Sequence, residues 1–365
     1  MIRVLFIIPN AMDRGGIETF AITYFKHMNS KEFKFMFCQL SSENKGVFDD
    51  YILENGGEVS YITTKSNRIK ALKKELSNVI CEFKPDIVHV HGDVSCTRVY
   101  IALYLLKMKN VIAHSHNTSS LDKSFLLPIK KFLAKKLSSV HMACSIPAGK
   151  WLFGNSIKKS NFYFIHNAIE TSKFVFNESN RVTIRSKYHI ADDCLLIGCV
   201  GHLIDSHKNQ RFLINLLSKM NNGSKLMLIG GGRDIEMLKS FAKMNDVFDN
   251  VIFVGSVQDT SPYYSAFDVF CLPSHFEGIS IACIEAIANG LSPIVSNNVP
   301  IASGFEKRET ALEIDNGGFY IWIKAIKQSQ KAKRIKDDTV LKNGFDIESE
   351  SLRLEQIYKK MVGQS

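Results

Sequence analysis

Two carboxylates, Glu277 and Glu285, flank the start of a short helical pattern, with Gly278 beside the first and Gly290 closing the run. Ser280 has the chemistry of an N-cap, and Gly290 that of the residue just past a helix end. Ile281, Ile284, Ile287 and Ala288 repeat at helical spacing and must face a core. Bare amides of Gly278, Ile279, Ser280 and Ile281 at a helix N-terminus form a seat for a diphosphate. Glu277 lies in the loop before that helix. Glu285, in the second turn and off the apolar stripe, can accept hydrogen bonds from sugar hydroxyls. Two glutamates at this spacing are common by chance; the pair with its glycine, serine cap and Ala288-Asn289-Gly290 ending is not.

Two other turns carry compatible chemistry. Val200 to Gln210 reads as a strand ending at Gly201, a loop, and Lys208 near the start of a helix. A lysine is unfavourable at the positive end of a helix unless an anion sits there, which points to a diphosphate. The turn from Pro9 to Glu18 follows a first strand and opens a first helix. Gly15 and Gly16 let the backbone approach a phosphate or sugar closely, the alternative being a plain tight turn. This is no GxGxxG fingerprint, which disfavours NAD. His89 and His91 alternate at strand period, so one is expected on the packed side of a sheet and His91 nearer its carboxyl end. The eleven histidines include no HExxH or comparable ligand spacing, and no Asp-x-Asp occurs. Neither a metal nor a cofactor is therefore expected.

These turns need elements to hold them, and the sequence supplies strands and helices in alternation. Strands are expected over residues 4–8, 35–40, 59–63, 87–90, 111–114, 140–144 and 162–165, with helices such as 18–28, 69–83 and 97–107. The second half repeats the plan, with strands over 195–200, 225–229, 251–254, 269–272 and 293–296 and helices over 209–220, 235–244, 261–266 and 280–289. Continuous apolar strands separated by helices mean parallel sheets covered on both faces. The expected architecture is α/β, with two Rossmann-like domains and a ligand cleft between the carboxyl ends of their strands. The first spans 1–170 and the second 171–345, and a tail helix (346–365) packs back on the first.

With 365 residues, 45% of them hydrophobic and 22% charged, the chain is neither disordered nor fibrous. Eight cysteines without a CxxC read as small core residues such as Cys81 and Cys199 in a reducing compartment. No leader or window of 18 apolar residues is visible. The expected location is cytoplasmic, with peripheral contact to the inner face of the cytoplasmic membrane kept open.

The Glu277–Glu285 segment resembles the glutamate-pair signature of retaining nucleotide-sugar glycosyltransferases with the GT-B fold, in particular the large family 4. The resemblance covers nearly the whole chain: Gly15-Gly16, His166-Asn167-Ala168-Ile169, Gly230-Gly231-Gly232, the glutamate pair and the return helix. It is similar above all to bacterial capsule, exopolysaccharide and lipopolysaccharide O-antigen transferases, which share the His114-Ser115-His116-Asn117 type of segment. The resemblance implies catalytic roles for Glu277 near the transferred sugar, His116 at the reaction centre and Lys208 against the departing diphosphate. It implies donor binding by Gly15, Gly16, His202, Lys208, Gly278, Ile279, Ser280, Ile281 and Glu285, the last holding the ribose. The family usually has Arg where this sequence has His202. A neutral imidazole gives one donor where a guanidinium gives a charge and a fork. Either His202 is protonated against the diphosphate, or Lys208 and a neighbour such as Arg211 or Arg233 compensate.

The net charge of +10 is uneven. Residues 1–170 hold 23 basic against 14 acidic side chains and residues 171–365 hold 23 against 22, so the surplus lies in the acceptor-side half. Lys130, Lys131 and Lys135 share a broad side of a helix after Pro128 and, with Lys123 ahead of it, make a face suited to anionic lipid; an ordinary solvated basic face is the alternative. No nucleic-acid-binding module accompanies the pI near 9.1. The expected function is transfer of a sugar from a nucleoside-diphosphate sugar, a UDP-sugar first, to a lipid-linked or growing surface glycan, with retention and without a metal. The rivals are a nucleotide-sugar epimerase of GT-B fold and a catalytically degenerate partner subunit.

Overall fold

A computed structural model describes residues 1–12, 15–40, 45–62, 68–117, 124–277, 279–302, 304–314, 318–336 and 338–364. The chain forms two compact units, Met1–Ala168 with Ile347–Ser365, and Ile169–Asp346.

In the first unit the apolar runs become seven parallel strands: β1 Ile2–Ile8, β2 Phe33–Gln39, β3 Glu58–Tyr61, β4 Ile87–Val90, β5 Val111–Ser115, β6 Val140–Ala143 and β7 Phe162–Phe164. Their order is β3-β2-β1-β4-β5-β6-β7, so the winding reverses between β1 and β4. Strands that are apolar along both faces need helices on both faces, and the chain puts one after nearly every strand. The register pairs His89 of β4 with Ile112 of β5. Side chains at paired positions of parallel strands share a face, which sets His89 and His91 on the same face as His114 and His116, one step out of level. The return helix Ile347–Met361 lays Leu354, Ile357 and Tyr358 into the core with Phe6, Phe20 and Ile112.

The second unit holds β8 Leu196–Val200, β9 Lys225–Ile229, β10 Val251–Gly255, β11 Val269–Leu272, β12 Ile294–Ser296 and β13 Thr310–Leu312. The order is β10-β9-β8-β11-β12-β13, all parallel, with the reversal between β8 and β11. β13 is absent from the sequence-based expectation because it is a three-residue, largely exposed edge strand with no apolar run. Gly230 follows β9 with φ +138°, and a Cβ there would fall 2.1 Å from the Gly201 carbonyl oxygen, so only glycine lets the ends of β8 and β9 lie together.

All eight cysteines are free thiols. Cys81 departs from the core placement expected of it: it lies exposed on the Ile69–Phe83 helix, and Cys194 is half-buried. Among the described residues no helix is long and apolar enough to cross a membrane.

Candidate active site

In the second unit, two loops at the carboxyl ends of β8 and β11 carry the charged residues. Lys208 is not in the first turn of the long Gln210–Met220 helix. It closes a separate one-turn helix, Asp205–Lys208, and Asn209 in the left-handed conformation (φ +55°) divides the two. The helix-end argument for Lys208 therefore fails, and a side chain holds its charge instead. Its Nζ is ion-paired with Glu277 Oε1, which also accepts from Ser274 Oγ at 2.7 Å. The pair is mostly shielded, with side-chain exposures of 16% and 10%. Gly201 (φ +149°) leaves room for the lysine stem, since a Cβ there would come 3.3 Å from Lys208 Cε. Asn209 Nδ2 donates to the Pro273 carbonyl at 3.1 Å and the His275 amide to the His207 carbonyl at 2.8 Å, which ties the two loops together. The His207 and Phe276 rings stack at 4.0 Å.

Ser280 caps the Ile281–Ala288 helix by accepting from the Cys283 amide, and Gly290 follows its end with φ +89°. Ile284 and Ile287 are buried; Ile279 and Ile281 are half-buried against the same core. Glu285 accepts from the hydroxyl of Tyr264 at 2.6 Å. Burial pushes the Glu285 carboxyl up to about 7, with Tyr264 pulling it down and Asp259 pushing it further up. Gly278 lies outside the described residues. His202 is exposed, and its carbonyl accepts from Gln210 Nε2 at 2.9 Å. Of its two proposed substitutes, Arg211 is bound to buried Asp205. Arg233 is largely exposed, 3.6 Å from Asp234.

In the first unit Gly15 caps the Gly16–His27 helix. A Cβ on Gly15 would fall 2.1 Å from Glu18 Oε2, whereas one on Gly16 would meet nothing within 4 Å. The two glycines thus do different things. Gly15 makes room for the buried Glu18 carboxylate reaching back over the cap, and Gly16 leaves its backbone bare.

His89 and His91 do not divide between the two sides of the sheet. Two residues apart in a strand, they share one face, and their rings stack at 4.0 Å. His114 and His116 lie beside them with ring centroids 4.0 Å apart and planes tilted by 31°. Metal-ligand spacing, which no local motif suggested, does occur across the two strands: His89, His91 and His114 place one ring nitrogen each within 4.8 Å of one another. The signal was legible as two His-x-His pairs, each running out of the carboxyl end of an expected strand. Burial lowers all four histidines below their ordinary range, His116 to about 3 with the neighbouring Asn167 pulling the other way. His116 is therefore neutral at pH 7 and serves as a hydrogen-bonding group.

The basic segment forms the helix Leu127–Lys136, but its outermost stripe is apolar. Ile129 and Phe132, with Phe125 before the helix, are 53%, 60% and 87% exposed. Lys130, Lys131 and Lys135 are half-buried beside them, Lys131 lying over the Trp151 ring at 4.4 Å. Lys123 lies outside the described residues.

Two doubly wound parallel units with the candidate side chains at the carboxyl ends of their strands define the class as the GT-B fold. Residues 14–173 match the family model described as Glycosyltransferase Family 4, and residues 195–328 that described as Glycosyl transferases group 1. The chain belongs to the glycosyltransferases, a family 4 domain followed by a group 1 domain. It is 26% identical over 378 residues to EpsF of Bacillus subtilis (strain 168), covering 98% of this chain and 96% of that one. Over 372 residues it is 25% identical to the capsular polysaccharide biosynthesis glycosyltransferase CapH of Staphylococcus aureus, covering 98% and 99%. The crystal structure of Anabaena Alr3699/HepE in complex with UDP and glucose superposes with a TM-score of 0.80 at 16% identity, over 99% of this chain and 100% of that one.

Proposed function

We propose that this glycosyltransferase moves a sugar from a nucleoside-diphosphate sugar, a UDP-sugar first, to a hydroxyl of a growing or lipid-linked surface polysaccharide. The observation that carries the reading is the shielded Lys208–Glu277 pair beside a serine-capped helix that also bears Glu285. A diphosphate arriving at Lys208 gives the ammonium a second anion and frees the Glu277 carboxylate for sugar hydroxyls. Glu285 accepts from the ribose. The amides of Gly278, Ile279, Ser280 and Ile281 and the bare backbone of Gly16, beside Gly15, bind donor oxygens. His202 or Arg233 adds to the diphosphate side.

The bond between the anomeric carbon and the diphosphate oxygen breaks, and Lys208 balances the charge that builds on that oxygen. The acceptor oxygen bonds to the same face of the sugar, so configuration is retained, and its proton leaves with the diphosphate. Neutral His116 lines this centre by hydrogen bonding. No metal or cofactor takes part. The role of CapH in capsular polysaccharide biosynthesis and the UDP and glucose bound to Alr3699/HepE support the substrate class.

The apolar and basic surface at Phe125, Ile129, Phe132, Lys130, Lys131 and Lys135 suits the anionic inner face of a membrane that presents the acceptor. The test is mutational: Glu285→Ala and Lys208→Ala abolish sugar transfer from the accepted donor. Full activity in either variant refutes the assignment.

A further inference from the structure

Four histidines in one core need a reason. A neutral imidazole buried in an apolar core must find hydrogen bonds or lose stability. Aliphatic side chains of like volume would avoid that requirement. Here the rings answer one another in part, with His91 Nε2, His114 Nε2 and His116 Nδ1 left buried without a hydrogen-bond partner among the described residues. His89 Nε2 and His114 Nδ1 are 3.1 Å apart, and His91 Nδ1 and His116 Nε2 are 3.3 Å apart. The hydroxyl of Tyr358, on the return helix, is 2.6 Å from His89 Nδ1. Phe6 sets its ring against His91 at 4.6 Å, and Phe20 sets its edge to His114 and His116 at 5.0 and 5.1 Å. The planes of His89 and His91 are nearly parallel and 4.0 Å apart, so an ion lying in one ring plane lies well out of the other. The geometry is that of a hydrogen-bonded stack.

We propose that His91 is a positioning residue for His116. Its Nδ1 holds Nε2 of His116, setting the ring's angle and which nitrogen carries the proton. The atom left for a ligand is then Nδ1, which has no hydrogen-bond partner among the described residues. Each neutral ring has one donor and one acceptor, so engaging one nitrogen decides the role of the other. Tyr358, His89 and His114 brace the pair: the first anchors His89, and the other two rings pack against His91 and His116 respectively. The catalytic consequence rests on His116 facing the reacting sugar, as proposed above; the hold of His91 on His116 does not.

The test compares His91→Phe, which keeps a flat ring in the stack without its nitrogens, with His91→Asn, whose amide nitrogen falls near the place of Nδ1. His91→Phe lowers kcat about ten-fold, the value of one lost hydrogen bond, with donor KM within two-fold of wild type. His91→Asn recovers most of that loss. In protein with 15N-labelled histidine rings, the His116 shifts report one tautomer in wild type and His91→Asn and a mixture in His91→Phe. Unchanged ring shifts in His91→Phe overturn the proposal, as does an equal loss of kcat in both variants. If wild type transfers no sugar from any donor, the transferase reading fails, while the ring shifts still decide the role of His91. Should His91→Phe not fold, His91→Gln, which moves the amide to the Nε2 position, takes its place.

Discussion

Lys208 and Glu277 neutralise one another in a shielded site, so each single substitution removes a proposed function and also strands a charge. Leaving one member of such a pair unpaired costs on the order of 1–3 kcal/mol at this degree of burial. The double variant Lys208→Met/Glu277→Gln should therefore unfold in urea close to wild type, while Lys208→Met alone unfolds earlier. Both should lack transfer. Glu285 makes a second prediction. Burial lifts its carboxyl to about 7, and only the ionised form accepts from a ribose hydroxyl at both oxygens. Donor affinity should fall as pH drops from 8 to 6, approaching ten-fold per pH unit below 7. Calorimetric titration of the donor across that range checks it, and Glu285→Gln should flatten the profile.

The elements that hold these residues are built from short-range signals. Ser280→Ala removes the cap of the Ile281–Ala288 helix and should lower stability by about 1 kcal/mol. Gly290→Ala should cost about as much or more, because φ is +89° and the new Cβ would sit 2.9 Å from the Ile335 carbonyl. Thermal unfolding of the two variants measures both. The Leu127–Lys136 helix makes a different prediction. Its apolar stripe is exposed and its lysines flank it, so vesicles containing anionic lipid should sediment the protein and neutral vesicles should not. Phe132→Ser should weaken that binding by more than ten-fold, as each buried side chain contributes about 2 kcal/mol. Equal binding to neutral vesicles, or none to either, defeats the membrane role.

For the molecule as a whole, the histidine stack sets an acid limit to stability. Burial depresses the four histidines in the fold, whereas in the unfolded chain they titrate near 6.5. Below 6.5 the unfolded state takes up protons that the folded first unit refuses, so stability falls as pH falls. The slope is up to ~1.4 kcal/mol per pH unit for each histidine until the folded values are reached. Urea midpoints should drop steeply between pH 6.5 and 5, and His89→Leu should shallow that slope by its own share. An unchanged midpoint across this range contradicts the neutral stack. The charge division is also a property of the whole: the first 170 residues carry nearly all of the net +10. The unit bearing Lys208 and Glu285 is close to neutral and relies on local cations.

Much of this was readable before any coordinates. Apolar runs bounded by Gly, Pro and Asn locate twelve of the thirteen strands, because a strand buried on both faces has no other way to be written. The Ser280 cap and the Gly290 end are local as well, since capping satisfies amides and carbonyls within one turn. Three things needed the tertiary structure. Lys208 looked like a helix-end cation, but an αL residue at Asn209 separates it from the long helix, and its partner lies 69 positions away. Glu285 looked free to meet a ligand, yet Tyr264 from another helix already shares its carboxylate. Two His-x-His pairs looked unrelated until the register of β4 on β5 brought them to one face. Periodicity along a chain says which side of its own element a residue takes. What stands opposite is settled by strand order and register, which depend on residues far away in the sequence.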